Sequence, residues 1–223
     1  MHNGVCPMDF LPRRRNLRLR FLTHPWRQTL MTTTNHTYTL AERLVHFGIA
    51  ASGIAAWLTG EIAEDGVQSF GFTLHAWLGF AVAATLALRL WSGLAGREPM
   101  RFSSWSPFSS KQWKEAGEDL RSLLRGRFPD RPMHEGLAGL VQAFGLALMG
   151  WMAVTGIVIY ALAGGPESLL SEAVEEVHEI GEGLIPLYLA LHVGAVALHS
   201  LFGSPVWQRM FSLDMADSAP TDD

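Results

Sequence analysis

Four windows without a single Asp, Glu, Lys or Arg limit what this 223-residue chain can fold into. They run over residues 44–60, 66–88, 136–166 and 183–208. A helix that crosses about 30 Å of hydrocarbon needs roughly 20 apolar residues, and each window is near or above that length. Charged residues make up 17% of the chain, whereas soluble domains average about 25%. We therefore predict an all-α membrane protein, a bundle of four transmembrane helices, and not a soluble domain.

The charges between the windows predict the orientation of this bundle. Seven arginines precede or open the first window, nine Lys and Arg residues lie between residues 89 and 131, and Arg209 follows the fourth window. The two remaining loops carry acids and no bases: Glu61, Glu64 and Asp65 in one, and Glu167, Glu172, Glu175, Glu176, Glu179 and Glu182 in the other. Since basic loops stay in the cytoplasm, we expect both termini and the long middle loop inside, N-in and C-in.

The same pattern divides the chain into a membrane domain and two polar ends. We expect spans at about 40–60, 67–91, 136–163 and 180–203 within a domain of residues 39–211. Residues 1–38 form a basic leader that we expect to be disordered, with Met31 as an alternative start to Met1, and residues 212–223 form an acidic tail. The loop 94–134 has apolar residues spaced for an amphipathic helix on the inner leaflet: Trp113, Ala116, Leu120, Leu123 and Leu124.

Histidines are the ionisable residues of the spans. His46 lies in the first window, His75 in the second and His192 in the fourth, and His178 lies just before the fourth. An ionisable residue at membrane depth is costly, so each is a functional candidate. His178 and His192 are fourteen residues apart, which on a helix places them within about 40° of one face and about 21 Å apart. One helix thus offers a candidate ligand near each side of the membrane.

Depth predicts how these histidines pair. His46 lies early in a helix that rises from the cytoplasm, and His75 early in a helix that descends from outside. The fourth helix also descends, so His178 matches His75 in depth and His192 matches His46. Geometry alone also allows His199, seven residues further on, to take the place of His192.

Two bis-histidine sites stacked across the bilayer suit two b-type haems. Two neutral imidazoles on facing helices are what such an iron needs, and bundle cores hold such cofactors. Zinc would require a further Cys or carboxylate, and the four charge-free windows contain none. Cys6 is the only cysteine and there is no CxxCH sequence, so a covalent c-type haem is excluded.

The chain resembles the bacterial cytochrome b561 superfamily, in the branch that includes the b-type cytochrome subunits of nickel-iron hydrogenases. The matching stretches are ERLVHF at 42–47, LHAWLGFAVAATLALRLWSGLAG at 74–96 with the following RFSSWSPF, AVTGIVIY at 153–160, VHEIGEGL at 177–184 and LALHVGAVALHS at 189–200. The resemblance covers about residues 40–211. It implies that His46, His75, His178 and His192 bind two non-covalent haems b, and it favours His192 over His199.

One motif departs from that branch. Its members often begin the third span with Gly-His-Asn-Pro, whereas this chain has Pro132, Met133, His134 and Glu135. A role of that motif in contact with a partner or with quinone therefore does not carry over to this chain.

Two arginines are candidate partners of the haem propionates. Arg89 lies fourteen residues after His75, about 21 Å further along the same face, at the level of the inner site. Arg43 lies one turn before His46. Propionates are anionic and need such partners, although both arginines also satisfy the positive-inside rule.

These features predict an electron-transfer protein of a bacterial inner membrane. Two haems about 20 Å apart would connect its two faces, and no nucleotide-binding glycine pattern or cluster of cysteines suggests another chemistry. We expect transfer between the quinone pool, which the resemblance implies, and a periplasmic c-type cytochrome, hydrogenase or other dehydrogenase in a respiratory chain. No nucleic-acid partner is expected.

An enzymatic alternative is a quinol-linked oxidoreductase that acts directly on a small external oxidant such as superoxide. Whether the chain is an enzyme or an electron carrier thus stays open at this point. The outer loops carry nine acids and no base, which repels small anions and favours a protein partner.

Overall fold

The structure, a computed structural model, describes residues 38–96, 101–103, 105–127, 129, 135–202 and 207–211. Tyr38 is the only residue of the predicted leader that the structure describes. The predicted acidic tail, residues 212–223, lies outside the described residues. The all-helical prediction is confirmed. The helices are α1 (Leu40–Leu58), α2 (Gly60–Ala63), α3 (Phe70–Ala95), α4 (Ser110–Leu124), α5 (Gly136–Leu162), α6 (Leu169–Phe202) and α7 (Gln208–Phe211).

Side-chain caps explain where three of these helices begin. At α1, the Thr39 hydroxyl accepts from the backbone N–H of Glu42 at 3.3 Å, and the Glu42 carboxylate accepts from the N–H of Thr39 at 2.7 Å. This reciprocal capping box satisfies two N–H groups that the helix itself leaves unpaired. Ser69 and Ser109 cap α3 and α4 in the simpler way, each through its hydroxyl oxygen.

Among the described residues, three helices are long and apolar enough to cross a membrane: α3, α5 and residues Leu169–Leu201 of α6. Helix α1 has 19 residues and is about 28 Å long at 1.5 Å per residue. It does not reach the same apolarity, since Glu42 and Arg43 lie in its first turn. The structure therefore supports a bundle with several spans, and the first predicted span, residues 40–60, stays a prediction.

Helix α6 is longer than the predicted span. It begins at Leu169, well before residue 180, so the acids from Glu172 to Glu182 lie on a helix and not in a loop. Leu, Glu and Ala are strong helix formers, and from Leu169 to Ile180 no Gly or Pro interrupts them. Pro186 lies inside α6, between His178 and His192. The two histidines are thus on one helix that contains a proline.

The buried core lies midway between the two pairs of histidines. It consists of Val82 and Leu86 on α3, Leu148 and Met149 on α5, and Ile185 on α6. Most other apolar side chains of the long helices are exposed, including Trp77 and Trp91 at 69% each. Such a surface is costly in water and suits hydrocarbon. The bundle is therefore built around a thin central layer with an apolar exterior.

Helix α6 packs mainly against α5. Helix α3 packs along α1 and α5, α5 also packs along α4 and α6, and α6 makes few close backbone contacts with α1 or α3. The space between α6 and the α1/α3 pair is where the histidines face each other.

Helix α4 forms as predicted and packs on α5 through polar residues. Gln112 and Asp119 are buried against the start of α5, where Gln112 Nε2 donates to the Gly136 carbonyl at 2.8 Å and Asp119 Oδ2 accepts from the N–H of Leu137 at 3.0 Å. The N–H groups at the start of α5 have no partner within the helix, and Asp119 supplies an acceptor for one of them. Three of the five predicted apolar positions are exposed, which suits a helix whose apolar side faces lipid: Trp113, Leu120 and Leu124.

Candidate functional site

The outer pair of histidines joins α3 to α6. The ring centroids of His75 and His178 lie 6.3 Å apart, with the ring planes at 78°. His75 is the sixth residue of α3 and His178 the tenth of α6, so in the predicted topology both lie towards the outside. Their pairing agrees with the prediction, whereas their role as ligands stays a prediction.

The surroundings of His75 determine which of its ring nitrogens carries the proton. Its Nδ1 lies 3.0 Å from the backbone carbonyl of Ala56 on α1. A carbonyl only accepts, so Nδ1 must be the donor. The Thr59 hydroxyl lies 3.4 Å from the same atom and donates to the carbonyls of its own helix at 2.9 Å. The other nitrogen, Nε2, then has a free lone pair for a metal.

His178 contacts Thr155 of α5. The Thr155 hydroxyl lies 2.7 Å from His178 Nδ1, and the carbonyls of Trp151 and Met152 on its own helix also accept from it, at 2.8 and 3.3 Å. When His178 binds a metal through Nε2, Nδ1 carries the proton and donates to the Thr155 oxygen. Metal-bound histidines are typically held by such a bond to the second nitrogen.

A cavity of about 440 Å³ adjoins the outer pair. Cofactor sites are usually mostly apolar clefts of about 300–1,000 Å³, and this one falls in that range. Small residues widen it on three helices, and large apolar side chains and carboxylates complete it: Gly53, Ala56, Gly79, Gly156, Trp57, Phe80, Met149, Met152, Glu64, Glu175, Glu179 and Glu182. The cavity is therefore apolar within the bundle and acidic towards the outer loops.

Two glycines at the walls of this cavity have different surroundings. A Cβ at Gly156 would lie 3.3 Å from His178 Cε1, so this glycine lets the imidazole ring approach α5. A Cβ at Gly79 would meet no atom within 4 Å, so this glycine borders open space and leaves room for a flat ligand between the helices.

The inner pair joins α1 to α6. The ring centroids of His46 and His192 lie 6.2 Å apart, with the ring planes at 40°. Tyr188, one turn before His192, stacks on the His192 ring at 5.6 Å and 19°. His46 Nδ1 is buried and has no hydrogen-bond partner in the part of the chain that the structure describes. The inner pair is thus positioned by ring packing, whereas the outer pair is positioned by hydrogen bonds.

The spacing of both pairs fits a shared metal. Imidazole nitrogens bind transition metals at about 2.0–2.1 Å, so two rings on opposite sides of one ion have centroids about 6 Å apart. Both observed distances match that value. No group of three or more His, Cys, Asp or Glu that could hold a metal occurs among the described residues. Two imidazoles per ion suit a metal whose other positions are occupied by a macrocycle, so these residues fit a haem.

The two candidate arginines lie on α1 and α3. Arg89 is 5% exposed, and its Cζ lies 5.2 Å from the centre of the Phe102 ring, as in a cation–π contact. Arg43 is partly buried, and its Nε donates to the Tyr38 carbonyl at 3.0 Å. Their role beside the inner pair stays a prediction.

His199 forms a hydrogen bond within its own helix, where its Nδ1 donates to the Ala195 carbonyl at 2.9 Å. The observed partner of His46 is His192, which agrees with the choice that the resemblance favours.

Sequence reasoning missed Thr155 and Tyr188, which contact the paired histidines directly. Thr155 is one of many hydroxyl residues in the chain, and its contact depends on how α5 and α6 are rotated. Tyr188 carried a weak signal, because it lies four residues before His192 and therefore on the same face of the helix.

Comparison with known proteins gives one match. Residues 37–213 match the sequence model of a family described as prokaryotic cytochrome b561, the family of the b-type cytochrome subunits of nickel-iron hydrogenases. The matched range contains all four paired histidines and every helix described above. No curated protein and no solved structure matches the chain. The resemblance inferred from the five sequence stretches is thus confirmed.

Proposed function

Because the chain belongs to the prokaryotic cytochrome b561 family, and is therefore a membrane b-type cytochrome of electron transfer, we propose that it carries electrons across a bacterial inner membrane through two haems b. The observation that carries this proposal is the presence of two facing histidine pairs with the same spacing, 6.2 and 6.3 Å. One pair is at the inner end of the bundle and the other at the outer end.

In this proposal all four histidines bind haem iron. His75 and His178 bind the outer haem, and His46 and His192 bind the inner haem, each through Nε2. The haems supply one-electron iron chemistry, and the protein supplies their position, about 21 Å apart along α6, and a dry surrounding. Val82, Leu148 and Ile185 fill the space between the two sites and exclude water from it.

The proposed topology has four spans with both termini inside. Helix α1 is the span that joins α3, α5 and α6 in this proposal, because it carries His46 to the inner pair and packs along α3. Its length of 19 residues approaches what a span needs, and its Arg43 lies at the cytoplasmic end.

Arg89 and Arg43 serve the propionates of the inner haem in this proposal. An anion stabilises a guanidinium that is buried in the bundle, and a carboxylate forms two parallel hydrogen bonds with it. The Phe102 ring lies against the Arg89 guanidinium and limits the directions in which it can point. The outer site has no such base among the residues that line its cavity.

The two faces of the bundle supply the proposed partners. Quinone of the membrane pool exchanges electrons with one haem, and an external redox protein, such as a c-type cytochrome or a hydrogenase, exchanges them with the other. Glu64, Glu175 and Glu179 line the outer cavity on its exposed side, which favours a basic protein surface over a small anionic oxidant.

Haem counting combined with histidine variants tests this proposal. The purified full-length chain should contain two haems b, all removed by acidified organic solvent because no covalent link exists. His75→Ala and His178→Ala should each remove one and the same haem, and His46→Ala and His192→Ala should each remove the other. Redox titration of the remaining haem identifies which one is lost. A wild-type count near one, or a loss that does not follow the pairs, would contradict the proposal.

A further inference from the structure

Thr155 makes a short contact with one of the paired histidines. Its hydroxyl lies 2.7 Å from His178 Nδ1, across the interface between α5 and α6. With the hydroxyl hydrogen on the Trp151 carbonyl, 2.8 Å away, the oxygen accepts from an Nδ1–H group. This arrangement belongs to the neutral tautomer with its lone pair on Nε2, the one that a metal-binding imidazole requires.

The neighbours of Thr155 fix the same piece of α6. Trp151, one turn earlier on α5, donates from its indole Nε1 to the carbonyl of Val177 at 3.1 Å. Gly156, the residue after Thr155, lets the His178 ring lie close to α5, since a Cβ there would be 3.3 Å from His178 Cε1. Trp151, Thr155 and Gly156 thus contact three parts of this segment: the backbone before His178, its Nδ1 and its ring.

This contact has no equivalent at the inner pair. There, His46 Nδ1 is buried without a hydrogen-bond partner among the described residues. His75, at the outer pair, donates from Nδ1 to the Ala56 carbonyl. Hydrogen bonding at Nδ1 is therefore a property of the outer pair that His46 does not share.

We propose that Thr155 is a positioning residue that directs His178 Nε2 into the cavity and lowers the reduction potential of the outer haem. A bond from Nδ1–H to an acceptor makes the imidazole a more basic ligand, and a more basic ligand favours ferric over ferrous iron. This inference depends on the proposed function, because it assigns His178 to a haem. It goes beyond that function by naming a residue that makes the two haems different.

Three substitutions separate the hydroxyl from the shape of the side chain. Thr155→Val keeps the shape and removes the hydroxyl, whereas Thr155→Ser keeps the hydroxyl. Thr85→Val is the matched control, because the Thr85 hydroxyl also donates to carbonyls of its own helix, at 2.8 and 3.0 Å, and bonds no histidine among the described contacts. The measurements are haem content, redox titration of each haem and the low-spin EPR signal of the oxidised protein.

The expected result is specific to one variant and one haem. Thr155→Val should raise the potential of the outer haem and shift its EPR signal, or release that haem 10- to 100-fold more readily, the usual effect of losing such a bond. Thr155→Ser and Thr85→Val should leave both haems as in the wild type. Equal behaviour of Thr155→Val and Thr85→Val would overturn the inference, as would loss of the outer haem from Thr155→Ser. A wild-type protein without an outer haem would overturn the proposed function and this inference together.

Discussion

Tyr188 stacks on His192 with the ring centroids 5.6 Å apart and the ring planes at 19°. The tyrosine ring occupies the place that a side chain at position 145 would take, and Phe144 contacts its edge at 6.0 Å. A glycine on α5 thus controls the position of an inner histidine on α6, through a tyrosine one helical turn away from it. The outer histidine is held differently, through the hydroxyl of Thr155.

Gly145→Ala should therefore disturb the inner site before the outer one. A Cβ at this position would lie 2.5 Å from Tyr188 Cζ and 2.7 Å from Cε2, so the ring must move. We expect the inner haem to bind more weakly or to change its reduction potential. We also expect the free energy of unfolding to fall by about 1–3 kcal/mol, as for an overpacked core. Gly194→Ala is the control, since a Cβ there meets no atom within 4 Å. Redox titration and thermal unfolding measure both effects, and equal results for the two variants would contradict the prediction.

Gly79→Leu should remove the outer haem without damaging the fold. Gly79 lines the cavity of about 440 Å³, and a side chain there would enter open space and not strike another helix. Leucine is also the better helix former by nearly 1 kcal/mol. We expect the haem count to fall from two to one while circular dichroism stays unchanged. Gly183→Leu, which also meets open space but does not line the cavity, should keep both haems. Two haems in Gly79→Leu would show that the cavity is not the binding site.

His199→Ala should retain both haems. His199 Nδ1 bonds the Ala195 carbonyl of its own helix, whereas the ring of His192 faces His46 at 6.2 Å. The inner haem should therefore depend on His192 and not on His199. Haem quantitation of the two alanine variants measures this, and loss of the inner haem from His199→Ala alone would reverse the assignment.

The spacing of the histidines predicted that His75 and His178 face each other, whereas the resemblance was needed to favour His192 over His199 as the partner of His46. Helix rise and direction determine depth, so His75 and His178 could be matched without knowledge of helix packing. Side-chain contacts that depend on how each helix is rotated about its own axis could not be predicted from the spacing. The contact of Thr155 with His178 and the place of Tyr188 against Gly145 both depend on how α5 is turned towards α6.

The limits of α4 and α6 show where pattern reasoning is weaker. Charge-free windows locate apolar segments, but a helix also continues through acids when they are good helix formers, as α6 does from Leu169. Apolar spacing predicted α4 but not how it contacts α5. That contact is polar: Asp119 accepts from the Leu137 N–H, which the helix itself leaves unpaired, and Gln112 donates to the Gly136 carbonyl.

Asp119→Ala should destabilise the junction of α4 and α5. The Asp119 carboxylate accepts from the N–H of Leu137 in the first turn of α5, as a capping side chain does. We expect a loss of about 0.5–2 kcal/mol, the usual range for removing a cap. Unfolding of the purified protein by denaturant measures it. Lys114→Ala, an exposed position on the same helix, should change stability by less than about 0.5 kcal/mol. An Asp119→Ala variant as stable as this control would contradict the capping role.

Neutralising acids at the outer end of α6 should slow electron exchange with a basic partner. Glu172, Glu175 and Glu176 are exposed, and neither outer loop contains a Lys or Arg to offset them. If these acids steer the partner, the bimolecular rate with a small basic c-type cytochrome should fall steeply with salt, because exposed charges are screened beyond about 8–10 Å at physiological ionic strength. Replacing all three by Gln should lower the rate at low salt and flatten its salt dependence, without changing the haem spectrum. The inner-side variant Glu118→Gln should behave as the wild type. A wild-type rate that does not change with salt would show that these acids only reflect the absence of bases from translocated loops.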